Sequence, residues 1–186
     1  MMADNEVMIA GAGPVGLGAA LFLARQGRLP RIIEMRDAPA TQSKALAVNP
    51  RTLAILKPTG ITERMLEIGK RIVGGHFHRV EKLVASLDFS GIHRDYPFLF
   101  ALSQRATERL LSEALLAAGV HVERGVEMTA CRNTGDGVEL SLASSPSLEP
   151  ETAQCKTLLA ADGARSIARK QLNIDFIGSS FADLWY

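Results

Sequence analysis

The sequence predicts an α/β fold: a parallel sheet flanked by helices, with an antiparallel meander inserted. Three observations support this prediction. Short apolar runs end at glycines, as buried parallel strands commonly do. Two longer segments carry apolar residues at helical spacing. After the second of these segments the chain changes to short strands separated by turn residues, which is typical of antiparallel structure.

The N-terminal residues predict two strands joined by a helix. Residues 7–10 form an apolar run that ends at glycines, and residues 31–34 form a second run. Between them, residues 14–26 have an apolar helical face, with Pro14 suited to the first turn and Gly27 to the end. Strand, helix and strand within about thirty residues predict a parallel pair with a right-handed crossover.

The rest of the chain predicts a second clear helix, two short helices and a series of strands. The clear helix covers residues 103–118, with Ser103 as its N-cap and Gly119 at its end. Residues 35–48 have no clear period and predict an extended loop. The other segments are short helices at residues 50–56 and 61–68 and strands at residues 72–87, 120–123, 126–132, 138–143, 152–158 and 157–161.

Composition and charge argue against several classes of partner. Hydrophobic residues make up 47% of the chain and the formal net charge is +1, so we expect no basic surface for nucleic acid or for an anionic membrane. The N-terminus is acidic, unlike a secretory signal, and the longest apolar run, residues 15–24, is about half as long as a membrane span. We therefore expect a cytoplasmic protein without a membrane span.

The cysteines and histidines do not predict a metal site. Cys131 and Cys155 have neither metal-site nor redox-motif spacing. Two reduced thiols are the favoured interpretation, and a disulfide across neighbouring strands is the less favoured one. His76 and His78 share a strand face but have no third ligand in the pattern.

A Gly-x-Gly-x-x-Gly motif lies between the first strand and the first helix. The first glycine permits the tight turn, the second removes a side chain where a pyrophosphate approaches the backbone, and the third lets helix and strand pack closely. The helix N-terminus favours a phosphate group. Because the motif follows a strand and opens a helix, it predicts a Rossmann-like dinucleotide site. Its candidate cofactor contacts are Gly11, Gly13, Pro14, Val15 and Gly16.

Glu34 completes this unit at the end of the second strand. A carboxylate at this position accepts hydrogen bonds from the ribose hydroxyls of an adenosine. It also repels a 2′-phosphate, so NADP is not expected at this particular site. The alternative is an ordinary solvated glutamate at a strand end, and the preceding glycines favour the functional interpretation.

Four stretches, in the order expected of one family, cover nearly the whole chain. Residues 11–24 have the pattern Gly-x-Gly-x-x-Gly-Leu-x-x-Ala-x-x-Leu-Ala, and Glu34 follows. Residues 43–53 are Ser-Lys-Ala-Leu-Ala-Val-Asn-Pro-Arg-Thr-Leu. Residues 102–111 place a glutamine at a helix start, and residues 161–169 contain Asp-Gly-x-x-Ser-x-x-Arg. In these stretches the chain resembles the class A flavoprotein monooxygenases, the family of the p-hydroxybenzoate and phenol hydroxylases.

Five residues outside the glycine motif take a cofactor role from this resemblance. Lys44 and Arg51, in or beside the loop after the second strand, would neutralise a pyrophosphate, although plain surface charge is the alternative for each. Gln104 would contact the cofactor from the start of its helix; alternatively it faces water. Asp162 and Gly163 follow a buried strand at the edge where open sheets bind ligands, and their alternative is a plain turn.

The resemblance also implies an activity and a domain arrangement. FAD would be the cofactor, NAD(P)H the reductant and O2 the oxygen source for hydroxylation of a small aromatic, phenol-like substrate. Residues 1–71 and 101–172 would form the FAD-binding domain, residues 72–100 strands of the substrate-domain sheet, and residues 173–186 the start of the substrate domain. The apolar, aromatic run at residues 181–186 is typical of a sheet strand, so we expect a fragment of a protein about two to three times longer.

Two other interpretations stay open. One is a different enzyme on the same flavin fold, such as a halogenase or an isoprenoid reductase. A halogenase would carry a tryptophan motif between the FAD elements, whereas the only tryptophan here is Trp185. The other is a non-catalytic module that binds a nucleotide or another protein, in which exposed strand edges pair with a second chain, including a copy of itself in a homo-oligomer.

Overall fold

The structure is a computed structural model that describes residues 5–39, 46–144 and 150–179. The strands in these residues are β1 (Asn5–Ala10), β2 (Arg31–Glu34), β3 (Ala47–Val48), β4 (Lys70–Ile72), β5 (Gly74–Arg79), β6 (Lys82–Asp88), β7 (Leu99–Ala101), β8 (Val122–Arg124), β9 (Val126–Asn133), β10 (Val138–Ser144) and β11 (Pro150–Ala160). The helices are α1 (Pro14–Arg25), α2 (Pro50–Leu56), α3 (Ile61–Ile68), α4 (Gln104–Ala117) and α5 (Ile167–Gln171), and a 3₁₀ turn covers Lys57–Thr59.

The main sheet has six strands in the order β8-β2-β1-β11-β10-β9. The first four are parallel, whereas β11, β10 and β9 form an antiparallel meander. The first half of β11 pairs with β10 and its second half pairs with β1. The predicted α/β fold class is confirmed. The two strands predicted over residues 152–158 and 157–161 are one continuous strand, because a change of partner does not interrupt extended backbone.

Successive residues of β1 face opposite sides of the sheet, because side chains alternate along a strand. Ile9 is fully buried in one apolar cluster with Leu17 of α1 and Leu115 of α4. Met8 is fully buried in a second cluster with Leu140 of the meander and Ala168 of α5. Each such side chain contributes roughly 1.5–3 kcal/mol to folding. These two clusters fix the sheet edge at which the candidate site lies.

Two smaller sheets lie in the middle of the chain. β7 pairs antiparallel with both β3 and β4, and its central residue, Phe100, is fully buried. β5 and β6 form a hairpin whose turn residue Val80 is 94% exposed and whose Phe77 is 55% exposed. The predicted domain boundaries after residues 71 and 100 fall within β4 and β7, which pair with each other. Within the described residues β5 and β6 pair only with each other, and the predicted division into domains stays a prediction.

One segment differs from its predicted structure. The loop predicted over residues 35–48 ends in β3, because Ala47 and Val48 pair with β7. Residues 174–179 have no regular structure, and the strand predicted over residues 181–186 lies outside the described residues, so it stays a prediction.

The cysteines do not face each other across neighbouring strands. Cys131 lies on β9 opposite Leu140, and Cys155 lies on β11 opposite Val138, so that β10 separates them. Two strand spacings alone separate their Cα atoms by roughly 9–10 Å, and Cys155 is also two residues out of register with Cys131, so the pair is beyond the reach of a disulfide. Both thiols are free and buried, and burial raises the pKa of each.

The predicted helix ends agree with the structure. The Ser103 hydroxyl accepts a hydrogen bond from the Ala106 N–H at the start of α4. The Asn49 side chain accepts one from the Arg51 N–H at the start of α2. Within residues 5–39, 46–144 and 150–179, no helix has the length and apolarity needed to cross a membrane.

Candidate functional site

The glycine loop joins β1 to α1 at the carboxyl edge of the parallel strands. Gly11 has a φ of +102°, and a Cβ there would overlap the Ala161 carbonyl oxygen. A Cβ on Gly16 would overlap the Gly11 carbonyl oxygen. Both positions therefore require glycine, the first for conformation and close approach and the second for close approach alone.

Gly13 differs from these two glycines, because there is open space where its side chain would be. It is the N-cap of α1 with an ordinary φ of −76°, and a Cβ built there meets nothing within 4 Å. No side chain caps this helix, and Pro14 occupies its first turn. Val15 is 71% exposed. The space beside Gly13, over an uncapped helix N-terminus, is what an approaching phosphate requires.

Glu34 is a buried carboxylate directed at this loop. It is 5% exposed at the end of β2. Its Oε2 accepts a hydrogen bond from the Ala12 N–H at 2.9 Å, and its Oε1 pairs with Nε of Arg36 at 2.8 Å. Burial alone would raise the pKa of this carboxyl, but the hydrogen bonds from Arg36 and Ala12 outweigh burial and hold the pKa below its ordinary value. Glu34 is thus ionised at neutral pH.

Arg36 pairs with Glu34, and the charge of Glu108 on α4 also acts on it. Its pKa is raised mainly by the hydrogen bond to Glu34, with a smaller contribution from the charge of Glu108. Glu108 is 6% exposed and accepts a hydrogen bond from Nε2 of Gln104 at 2.7 Å. Gln104 is thus hydrogen-bonded to the buried carboxylate whose charge acts on Arg36. The sequence analysis missed Arg36, and the signal for it was a cation two residues after the carboxylate.

Asp162 lies next to the glycine loop, as expected for a residue that follows β11. A Cβ on Gly11 would lie 3.2 Å from the Asp162 backbone nitrogen. The carboxylate accepts hydrogen bonds from the N–H groups of Ile167 at 2.7 Å and Ala168 at 3.2 Å, so it caps α5. Gly163 has a φ of +77°, which favours glycine at this turn.

The end of the Asp-Gly-x-x-Ser-x-x-Arg stretch secures the same turn. The Ser166 hydroxyl accepts a hydrogen bond from the Arg169 N–H at 3.0 Å. The Arg169 guanidinium donates to the Ile174 carbonyl and lies over the Phe176 ring, 5.1 Å from its centroid. These contacts fix the loop in which Asp162 lies.

The two cations expected beside the pyrophosphate have different outcomes. Lys44 lies outside the described residues, so its position stays a prediction. Arg51 is exposed in the first turn of α2 and lines a cavity together with His93. The structure does not bring Arg51 into the group formed by Glu34, Arg36 and Glu108, and its role at the cofactor also stays a prediction.

The larger described cavity, about 610 Å³, lies elsewhere, beside the first residues of β2. Arg31 there pairs with Glu123 and Glu151 at 2.8 Å each. Because Arg31 and the two carboxylates neutralise one another, the charged residues at this end of the sheet have a structural role. The candidate site is the open edge at the other end of the sheet, where β1, β2 and β11 terminate together.

The residues at that edge fit the pyrophosphate and adenosine of FAD. An open position at Gly13, an uncapped helix N-terminus and an ionised carboxylate on the adjacent strand are what this half of the cofactor requires.

Comparison with known proteins agrees with this fit. The family model described as FAD binding domain matches residues 4–184. The chain is 37% identical over 179 residues to an uncharacterized aromatic compound monooxygenase of Bacillus subtilis (strain 168), covering 96% of this chain and 35% of that protein. It is 31% identical over 183 residues to pentachlorophenol 4-monooxygenase of Sphingobium chlorophenolicum, covering 97% of this chain and 34% of that protein.

A solved structure gives the same result. The flavin-dependent monooxygenase PieE, in complex with FAD and substrate, matches with a TM-score of 0.85 at 28% identity, over 95% of this chain and 33% of that one. The chain thus spans about a third of the length of the proteins it matches. With a family match over nearly all of its residues and aromatic monooxygenases among its relatives, the chain belongs to the FAD binding domain family of the flavoprotein aromatic monooxygenases.

Proposed function

We propose that this chain binds the adenosine and pyrophosphate of FAD and is the N-terminal part of a monooxygenase that hydroxylates a phenol-like aromatic compound. The observation that carries the proposal is the pairing of an open Gly13 with the ionised, buried Glu34. The first admits a phosphate and the second accepts hydrogen bonds from a ribose.

In this proposal each residue has a limited task. The N–H groups after Gly13 donate to the pyrophosphate, and Glu34 accepts from the adenosine ribose. Gln104 and the loop of Asp162 contact the cofactor farther from the adenosine, and Lys44 supplies positive charge. When bound, FAD supplies the transfer of electrons from NAD(P)H to O2 and the insertion of one oxygen atom into the substrate. The protein binds and orients the reactants and excludes water.

The aromatic substrate is inferred from the named activities of the relatives, such as the pentachlorophenol enzyme. NAD(P)H as reductant is inferred from the family resemblance. We also propose that the β5–β6 hairpin belongs to the substrate domain, because its apolar residues lack cover in the described part of the chain. A cytoplasmic location and a homo-oligomer complete the proposal.

Titration of the purified chain with FAD, followed by fluorescence quenching, tests the cofactor. ADP should displace FAD, whereas FMN, which lacks the adenosine, should bind much more weakly. Glu34→Ala should weaken FAD binding by about 1–3 kcal/mol, the cost of one charge-assisted hydrogen bond. Glu127→Ala, which removes an exposed carboxylate from β9, is the matched control. Equal affinity for FMN and FAD, or an FAD affinity of Glu34→Ala equal to that of wild type, would contradict the proposed adenosine site.

A further inference from the structure

Arg124 is a half-buried cation at the end of β8, one strand beyond Glu34. β8 pairs in parallel with β2, and Arg124 lies opposite Glu34 in the register. The N–H of Gly125, the next residue, donates a hydrogen bond to the Arg36 carbonyl at 3.3 Å. The end of β8 is therefore joined to the segment that follows Glu34, at the same edge of the sheet as the candidate site.

The side chains of Arg124 and Glu34 lie on the same face of the sheet. Two residues earlier in each strand, Val122 is opposite Ile32, and both pack in the apolar cluster to which α1 and α4 contribute. Because side chains alternate along a strand, Arg124 and Glu34 project from that face as well. Arg124 thus lies beside Glu34, on the side of β2 that is away from β1 and the glycine loop.

The guanidinium of Arg124 has an unsatisfied donor. Its Nη1 is buried and has no hydrogen-bond partner among the described residues. In that part of the chain Arg124 also forms no ion pair, whereas Arg36 pairs with Glu34. A buried donor without an acceptor lowers the free energy of unfolding. An unfavourable group of this kind next to a ligand site indicates a function in that site.

The order of the strands indicates which part of a nucleotide lies nearest to Arg124. In the proposed function the pyrophosphate is bound by the glycine loop after β1, and the ribose by Glu34 on β2. The base follows the ribose in a nucleotide, as β8 follows β2 in the sheet. β8 is two strand spacings, roughly 9–10 Å, from β1. The base is therefore nearer to Arg124 than the pyrophosphate is.

We propose that Arg124 recognises the adenine base of the bound nucleotide by donating a hydrogen bond to a ring nitrogen. A guanidinium has five N–H donors and no acceptor, and adenine has ring nitrogens that accept. A shift of the half-buried side chain toward the base gives Nη1 the acceptor that the described residues do not provide. This inference rests on the proposed function and adds to it a residue that the sequence analysis missed.

Arg124→Met tests the assignment, because methionine is a long side chain without an N–H group. Removing a buried donor that lacks an acceptor should leave the urea midpoint equal to or above that of wild type. The affinity for ADP should nevertheless fall about tenfold, the effect of a hydrogen bond from a charged group. Arg109→Met, which changes an exposed arginine of α4, is the matched control and should bind ADP like wild type.

Three ligands assign the contact to the base. ADP and UDP share the ribose and the diphosphate, but uracil has no ring nitrogen that accepts a hydrogen bond. Inorganic pyrophosphate has neither ribose nor base. The wild-type chain should bind ADP more tightly than UDP, and Arg124→Met should remove most of this difference. Its affinities for UDP and pyrophosphate should equal those of wild type. Isothermal titration calorimetry on the 186-residue chain measures all three.

Several results would overturn the inference. An unfolded Arg124→Met chain, or a lower urea midpoint, would show that the arginine stabilises the fold. Equal weakening of ADP and UDP would place its contact at the ribose, and weakening of pyrophosphate as well would show a general effect of charge. FAD titration of the wild-type chain separates this inference from the proposed function. If wild type binds FAD and ADP and Arg124→Met binds ADP equally well, only the inference fails. If wild type binds neither ligand, the proposed function fails and the inference with it.

Discussion

The same substitution by alanine should affect stability differently at Gly11, Gly13 and Gly16, the three glycines of the nucleotide loop. At Gly13 the added methyl meets no protein atom and φ is already −76°. The lower N-cap preference of alanine lowers the free energy of unfolding by up to about 1 kcal/mol. The smaller conformational freedom of alanine in the unfolded chain raises it by about 0.4–1 kcal/mol. The free energy of unfolding of Gly13→Ala should therefore stay within about 1 kcal/mol of wild type.

At Gly11 and Gly16 the substitution should lower the free energy of unfolding. Gly11→Ala combines a positive φ, which costs about 1–3 kcal/mol, with an overlap on the Ala161 carbonyl of similar cost. Gly16→Ala carries the overlap alone, about 1–3 kcal/mol. The expected order of stability is Gly13→Ala, then Gly16→Ala, then Gly11→Ala.

FAD affinity should follow a different order. In Gly13→Ala the methyl occupies the space of the pyrophosphate, at a cost of about 2–3 kcal/mol, or on the order of 30- to 150-fold in Kd. Gly18→Ala, in the interior of α1 with open space around its Cβ, is the matched control, with normal FAD affinity and slightly raised stability. Urea denaturation and FAD quenching titrations measure both quantities. A folded Gly13→Ala chain that binds FAD like wild type would refute the phosphate role of this loop.

Three further predictions concern charge, thiols and turnover. Because the pKa of Glu34 is lowered in the folded chain, its ionised form stabilises the fold at neutral pH. The difference in free energy of unfolding between wild type and Glu34→Gln should therefore shrink as the pH falls below the ordinary pKa of 4.5. A difference that stays constant from pH 3 to 7 would contradict the ion pair with Arg36. Cys131 and Cys155 should react with a thiol reagent far more slowly in the native chain than in urea, because they are buried with raised pKa values; equal rates would contradict their burial. The 186-residue chain, given FAD, NAD(P)H and phenols, should form no hydroxylated product, since it spans about a third of its relatives; product coupled to NAD(P)H consumption would show that it suffices.

The sequence predicted most where the signal is local. The helices Pro50–Leu56 and Ile61–Ile68 have the bounds that the sequence predicted for them. The N-cap of Ser103 was predicted from residue type alone. Such features depend on a few neighbouring residues, whose conformational preferences act without the rest of the chain.

Features that depend on strand partners were harder to predict. The placement of Cys131 and Cys155 depended on the position of β10 between their strands, which no local pattern encodes. His93 was isolated in the sequence, yet the turn at residues 93–96 orients its ring and α2 brings Arg51 to the same cavity. Side chains far apart in sequence meet only through the sheet order, and that order is a property of the whole fold.

The hydrogen bond between Glu34 and the glycine loop means that loss of this carboxylate should affect both the loop and the bound ligand. Glu34 accepts a hydrogen bond from Ala12 and pairs with Arg36, so it stabilises the conformation of the glycine loop. In the proposed function, removing Glu34 should lower FAD affinity by two routes: a lost ribose contact and a less ordered loop. ADP and inorganic pyrophosphate separate these routes, because pyrophosphate has no ribose. If Glu34→Ala weakens both ligands equally, the carboxylate acts through the loop, and if it weakens ADP alone, it acts through the ribose.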